Sequence, residues 1–115
     1  MKTINRCVFL LKMKEPFLEW LNNLPSKHGH IYTFGELNED LPAFLMPESD
    51  LPMDAKSFCH KNAKKIFAVV LESWWTDEAD WIKDCSPSSF DHYFEILQGE
   101  IIVDLGRGKI VQEDY

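Results

Sequence analysis

At 115 residues the chain fits one domain, and folding should remove roughly two-thirds of its unfolded surface from water, so neither a metal nor a disulfide is needed for stability. Hydrophobic residues at 45% and aromatic residues at 13% argue against disorder, while a net charge of −7 disfavours a general binder of phosphate backbones. No apolar run approaches the length of a membrane span, and Cys7, Cys59 and Cys85 are odd in number and lack Cys-x-x-Cys spacing, so a cytoplasmic protein with free thiols is expected.

Arg6-Cys7-Val8-Phe9-Leu10-Leu11-Lys12 is apolar on both alternating faces, which predicts a central strand over 6–12. Pro16 suits a helical first turn, and Phe17, Trp20, Leu21 and Leu24 then repeat at i, i+3, i+4, i+7, predicting a helix over 16–24. Thr33-Phe34-Gly35-Glu36 has capping-box spacing for a short helix. The run Pro42 to Pro47 reads as an edge strand, because proline is tolerated at strand ends and edges.

Asp50 as cap, Pro52 in the first turn and the apolar set Ala55, Phe58, Cys59, Ala63, Ile66, Phe67, Val70 and Trp74 predict one long helix over 51–74. Ser86-Pro87 starts another, with Phe90, Tyr93, Phe94 and Leu97 on one face and Gly99 as its left-handed terminator, giving a helix over 87–97. A strand over 100–105 follows. The turn residues Gly106-Arg107-Gly108 then predict a hairpin return through Lys109-Ile110-Val111.

These elements make an α+β fold of three or four strands and three main helices, in the order β-α-β-α-α-β. The helix between the first two strands favours a right-handed parallel crossover. If helices cover only one face of the sheet, apolar residues on the other face of 6–12 require a partner, which points to a homodimer.

Trp74-Trp75-Thr76-Asp77-Glu78-Ala79-Asp80-Trp81 places three of the four tryptophans around three carboxylates. In one reading the rings lower the local dielectric and fit Asp77, Glu78 and Asp80 for acid–base work, or for a hard cation in a metal-dependent hydrolase; the Asp-x-Asp-x-Asp-Gly order of an EF-hand is missing. In the plainer reading the rings close the core while the carboxylates cap a helix or face water. A third makes an exposed Trp75 or Trp81, rimmed by Asp77, Glu78 and Asp80, an anchor for a basic protein partner. The core-closing reading is the one that the residues favour; among the functional uses the non-catalytic interaction surface is preferred, with no cofactor.

That stretch, with Asn5-Arg6-Cys7-Val8-Phe9-Leu10-Leu11-Lys12 and Pro16-Phe17-Leu18-Glu19-Trp20-Leu21, resembles a family of small bacterial cytosolic proteins of uncharacterised function. The resemblance implies a soluble, single-domain bacterial protein and carries over no activity, ligand or catalytic residue.

Elsewhere the chemistry is sparse. His28 and His30 sit in a polar connector without a Cys or third His nearby, and read as solvated. Cys59 and His60 are adjacent on a helix and point about 100° apart, so the imidazole is badly placed to activate a core thiol. Cys85, beside Asp84, is the accessible cysteine by position. Lys56, Lys61, Lys64 and Lys65 line one helix face and read as solvated, because no aromatic platform for nucleic acid accompanies them. No GxGxxG, Walker A, HExxH or nucleophile-elbow motif is present.

Overall fold

The computed structural model describes residues 2–25, 29–47, 54–99 and 102–114. In chain order these contain β1 (Lys2–Thr3), β2 (Arg6–Met13), α1 (Glu15–Asn22), α2 (Phe34–Leu37), β3 (Ala43–Pro47), α3 (Ala55–Lys61) and α4 (Ala63–Trp74). A single 3-10 turn (Glu78–Asp80), α5 (Pro87–Tyr93), β4 (Phe94–Gly99) and β5 (Val103–Asp104) complete an α+β fold.

β2 is the middle strand of a sheet in the order β3-β2-β4, the central position that the sequence predicts. Phe9, Leu11 and Met13 point inward and are at most 1% exposed. Phe17 and Leu21 of α1, Leu37 of α2 and the apolar stripes of α3, α4 and α5 complete the same core. Phe67 lies among aromatic rings, 5.0 Å from Phe94, 6.0 Å from Phe90 and 6.1 Å from Tyr93 between centroids.

The β2–β3 pairing is antiparallel, with Arg6 opposite Pro47 and Leu10 opposite Ala43, which corrects the expected parallel crossover. Asn38 gives the physical reason. Its side-chain amide accepts from the Met13 N–H at 2.8 Å and donates to the Met13 carbonyl at 3.1 Å, so the chain is pinned at the end of β2 that it had just left. β3 therefore starts there and runs back.

The capping box forms as expected: Thr33 Oγ1 accepts from the Glu36 N–H and the Glu36 carboxylate accepts from the Thr33 N–H, both at 3.2 Å. The expected helix over 51–74 is two helices. Asp54 caps α3 by accepting from the Ser57 N–H, and the proposed Asp50 cap and Pro52 lie outside the described residues. Asn62 (φ −111°, ψ 17°) separates α3 from α4 and donates its side-chain amide to the Phe58 carbonyl at 2.9 Å, an alternative partner that interrupts the helix.

Ser86 and Pro87 do start a helix, with Ser86 Oγ accepting from the Ser89 N–H at 3.3 Å, but it ends at Tyr93 rather than at residue 97. Phe94 to Gly99 is strand β4, paired antiparallel with β2 so that Leu97 faces Leu10. The same residues fit both periods; Phe94 and Ile96 turn inward as alternate strand positions, and pairing with β2 decides for the strand. Gly99 is thus a strand residue, and its φ is not positive.

The third strand of the main sheet is therefore 94–99 and not 100–105, of which residues 100–101 lie outside the described residues. β5 instead pairs with β1 in a two-stranded ribbon, Thr3 opposite Val103. An unbroken continuation of the β2–β4 register would set Thr3 against Asp104, so the ribbon is offset by one residue from the register of the main sheet. Among the described residues Lys109 to Val111 form no strand, which corrects the hairpin return; Gly108 turns the chain with φ +93°. No helix among the described residues is long and apolar enough to cross a membrane.

Candidate functional site

The Trp74–Trp81 stretch is the junction between α4 and α5. α4 ends at Trp74 because Trp75 is extended (φ −153°, ψ 118°), although its N–H still donates to the Leu71 carbonyl at 2.8 Å. Asp77 then caps the 3-10 turn, its Oδ1 accepting from the Ala79 N–H at 3.1 Å. Lys83 Nζ reaches back to the carbonyls of Glu78 at 3.2 Å and Ala79 at 2.8 Å. A cation thus closes the carbonyl end of the turn.

Three indoles are tied into this turn. Trp75 Nε1 donates to Asp80 Oδ2 at 3.0 Å, Trp20 Nε1 donates to the Asp80 carbonyl at 3.0 Å, and Trp81 Nε1 donates to the Trp75 carbonyl at 2.6 Å. Asp80 therefore holds one ring from α1 and one from the junction itself. Trp74 takes no part in this cluster; it packs edge-on against Tyr32, 5.6 Å between centroids.

Of the five residues singled out by sequence, Trp75, Asp80 and Trp81 are half-buried and joined by these bonds, while Asp77 and Glu78 are exposed. Trp81 packs against the core as Trp20 and Trp74 do. Trp20 is the member that the local sequence does not reveal, because it lies 60 positions from Asp80 and joins through tertiary packing alone. The three carboxylates do not turn toward one point: Asp77 serves the cap and Asp80 serves Trp75. Among the described residues no group of three His, Cys, Asp or Glu side chains is placed to hold a metal ion.

The remaining candidates are in structural use. His30 Nε2 lies 2.9 Å from Glu36 Oε2, and its sequence neighbour His28 lies outside the described residues. His60 turns away from Cys59 to Asp91, 2.8 Å from Oδ1, and links α3 to α5. Cys59 is fully buried, and that burial, reinforced by the negative charge of Asp91, pushes its thiol up to about 12. Cys85 is half-buried and donates to the Ile82 carbonyl at 3.6 Å; burial first and Asp84 second raise its thiol, with Lys64 opposing. Lys56, Lys61, Lys64 and Lys65 are exposed, and the Asn62 break divides them between two helices.

Comparison with known proteins adds no relative: no family model, curated protein or solved structure matches the chain.

Proposed function

We propose that this protein is a non-catalytic interaction domain that offers the acidic and aromatic surface of Trp75, Asp77, Glu78, Asp80 and Trp81 to a basic protein partner. The observation that carries the reading is the set of indole bonds through Asp80 and the Trp75 carbonyl. They fix the rings before any partner arrives, so binding costs little side-chain entropy, and they leave the exposed Asp77 and Glu78 carboxylates beside half-exposed aromatic surface. An aromatic anchor with carboxylates at its rim suits Lys or Arg side chains, which offer both charge and an apolar stem.

A second surface supports the same class of function. On the outer sheet face Leu45 stands opposite Val8 and Leu97 opposite Leu10, with Leu45 56% and Leu97 39% exposed. The competing reading, a metal-dependent hydrolase using Asp77, Glu78 and Asp80, predicts that Mg²⁺, Mn²⁺, Ca²⁺ or Zn²⁺ raises the melting temperature, because saturating a native site stabilises the fold.

The deciding experiment captures partners from an extract of the native cells on immobilised wild-type protein, on Trp75→Ala and on Asp77→Asn/Glu78→Gln. Binding that both variants lose and that added salt weakens supports the reading. A partner set unchanged by both variants overturns it.

A further inference from the structure

A cleft of about 500 Å³ lies between α1 and α5, and none of the five residues of the proposed partner surface lines it. Ser88, Ser89, His92 and Tyr93 of α5 line it together, because positions i, i+1, i+4 and i+5 share a helix face. Trp20 lines it from α1, and the segment that leads into α5 adds one cation and one anion, Lys83 and Asp84.

Ser89 is the one polar residue in the core among those described, at 8% exposed. A helical serine readily turns its hydroxyl back to a carbonyl one turn earlier, as Ser73 does to Val70 at 2.6 Å. Among the described residues Ser89 Oγ has no such partner, and no side-chain oxygen or nitrogen sealed from water lacks one, so this hydroxyl opens into the cleft. The Ser88 and Tyr93 hydroxyls and the His92 ring nitrogens likewise have no partner among the described residues; the His92 ring meets Tyr93 edge-on at 5.0 Å.

The charged groups do not select an ion. Lys83 Nζ already donates to the Glu78 and Ala79 carbonyls, Asp84 Oδ1 already accepts from the Ser86 N–H at 3.0 Å, and their opposite charges cancel. What the cleft offers is neutral: hydroxyls and an imidazole that together both donate and accept. Trp20 adds ring surface without a donor, since its indole N–H is fixed on the Asp80 carbonyl.

A ligand that fits has an apolar face for the indole and a rim of groups that donate and accept. A sugar ring is of that kind, with C–H bonds on a face and hydroxyls round the edge. A flat base is clasped best between parallel rings, whereas His92 and Tyr93 stand at 79° to each other. The geometry points to a binding site for an uncharged sugar between α1 and α5, its ring stacked on Trp20 and its hydroxyls bonded by Ser88, Ser89 and His92.

Titration of the isotope-labelled full chain with methyl glycosides of hexoses, pentoses and N-acetylhexosamines, followed by amide and indole N–H shifts, tests this. At least one glycoside should saturate in the millimolar range and move the Trp20 indole N–H and the amides of Ser88 to Tyr93 more than those of Asp77 and Glu78. Ser89→Ala should weaken that binding by about fivefold, the effect of one hydrogen bond. Ser88→Ala/His92→Ala alters two exposed side chains, so it should keep the wild-type circular dichroism and weaken binding further. No saturation with any glycoside, binding undiminished in Ser88→Ala/His92→Ala, or tighter binding of inorganic phosphate or adenosine than of every glycoside each overturns the proposal. Asp77→Asn/Glu78→Gln should bind the glycoside as wild type does, so this result stands apart from that of the Trp75 surface.

Discussion

The Asp80 carboxylate accepts the indole N–H of Trp75 at 3.0 Å while the carbonyl of the same residue accepts that of Trp20, so one aspartate joins the start of the fold to the α4–α5 junction. Asp80→Ala leaves the half-buried Trp75 donor without its partner and should lower stability by about 1–2 kcal/mol. Asp80→Asn keeps an acceptor oxygen and should lose less than half as much. Urea unfolding measures both, and tryptophan emission in Asp80→Ala should shift to the red as the Trp75 ring is released. Equal losses in the two variants would mean that the charge, and not the hydrogen bond, holds the ring.

The buried thiol sets an alkaline limit. Cys59 is pushed up to about 12 from an ordinary 9.0, chiefly by burial and then by Asp91, so the folded chain holds this proton more tightly than the unfolded one. No stability is lost below the ordinary value. As pH rises from about 9 toward 12, the unfolded thiol ionises first and stability should fall. Cys59→Ala should flatten that part of the profile while costing packing at every pH. At neutral pH an alkylating reagent should modify Cys59 only at the rate of unfolding, and a fast reaction in the native state would contradict its burial.

Acid should weaken the helix starts. Glu36 is held below its ordinary 4.5, first by the hydrogen bond from His30 and then by the Thr33 N–H. Asp54 is held below 3.8 by the Ser57 N–H, and Asp84 below 3.8 by its hydrogen bonds from Ser86. A depressed carboxylate contributes all of its stabilisation above the ordinary value and loses it as pH falls through the folded one. The denaturation midpoint should therefore decline below about pH 4.5, and Glu36→Gln with Asp54→Asn should make that decline shallower. All three groups are exposed, so added salt should also reduce the effect.

What the sequence discloses and what it hides divide along local and non-local physics. The Thr33/Glu36 capping box, the Ser86-Pro87 start and the central place of β2 follow from neighbouring residues, and each has the predicted form. Phe94 to Gly99 does not: Phe90, Tyr93, Phe94 and Leu97 fit a helix, Phe94 and Ile96 fit a strand, and only the presence of β2 alongside breaks the tie. The break at Asn62 is likewise masked by apolar spacing that continues across it. In the candidate site the cluster Trp75, Asp80 and Trp81 can be read from the sequence as a group. The part of Trp20 cannot, because nothing near residue 20 specifies an acceptor 60 positions away.

The topology itself rests on a residue that the sequence offers no reason to notice. Asn38 accepts from the Met13 N–H and donates to the Met13 carbonyl, standing in for a strand partner at the last position of β2 and delivering the chain to Pro42, whose carbonyl takes the Leu11 N–H. Met13 is 1% exposed, so water cannot readily replace these bonds. Asn38→Ala should cost about 2–4 kcal/mol, one buried donor and one acceptor being left unpaired. Asn38→Asp keeps the acceptor but sets a carboxylate against the Met13 carbonyl, and should cost as much or more. Guanidinium unfolding reports the loss as a lower midpoint at unchanged slope, since the surface buried on folding is the same. Amide exchange locates it: in Asn38→Ala the Leu11 N–H should lose more protection than the Leu10 N–H, which serves β4. Uniform loss along β2 would show that the β2–β3 pairing does not depend on Asn38.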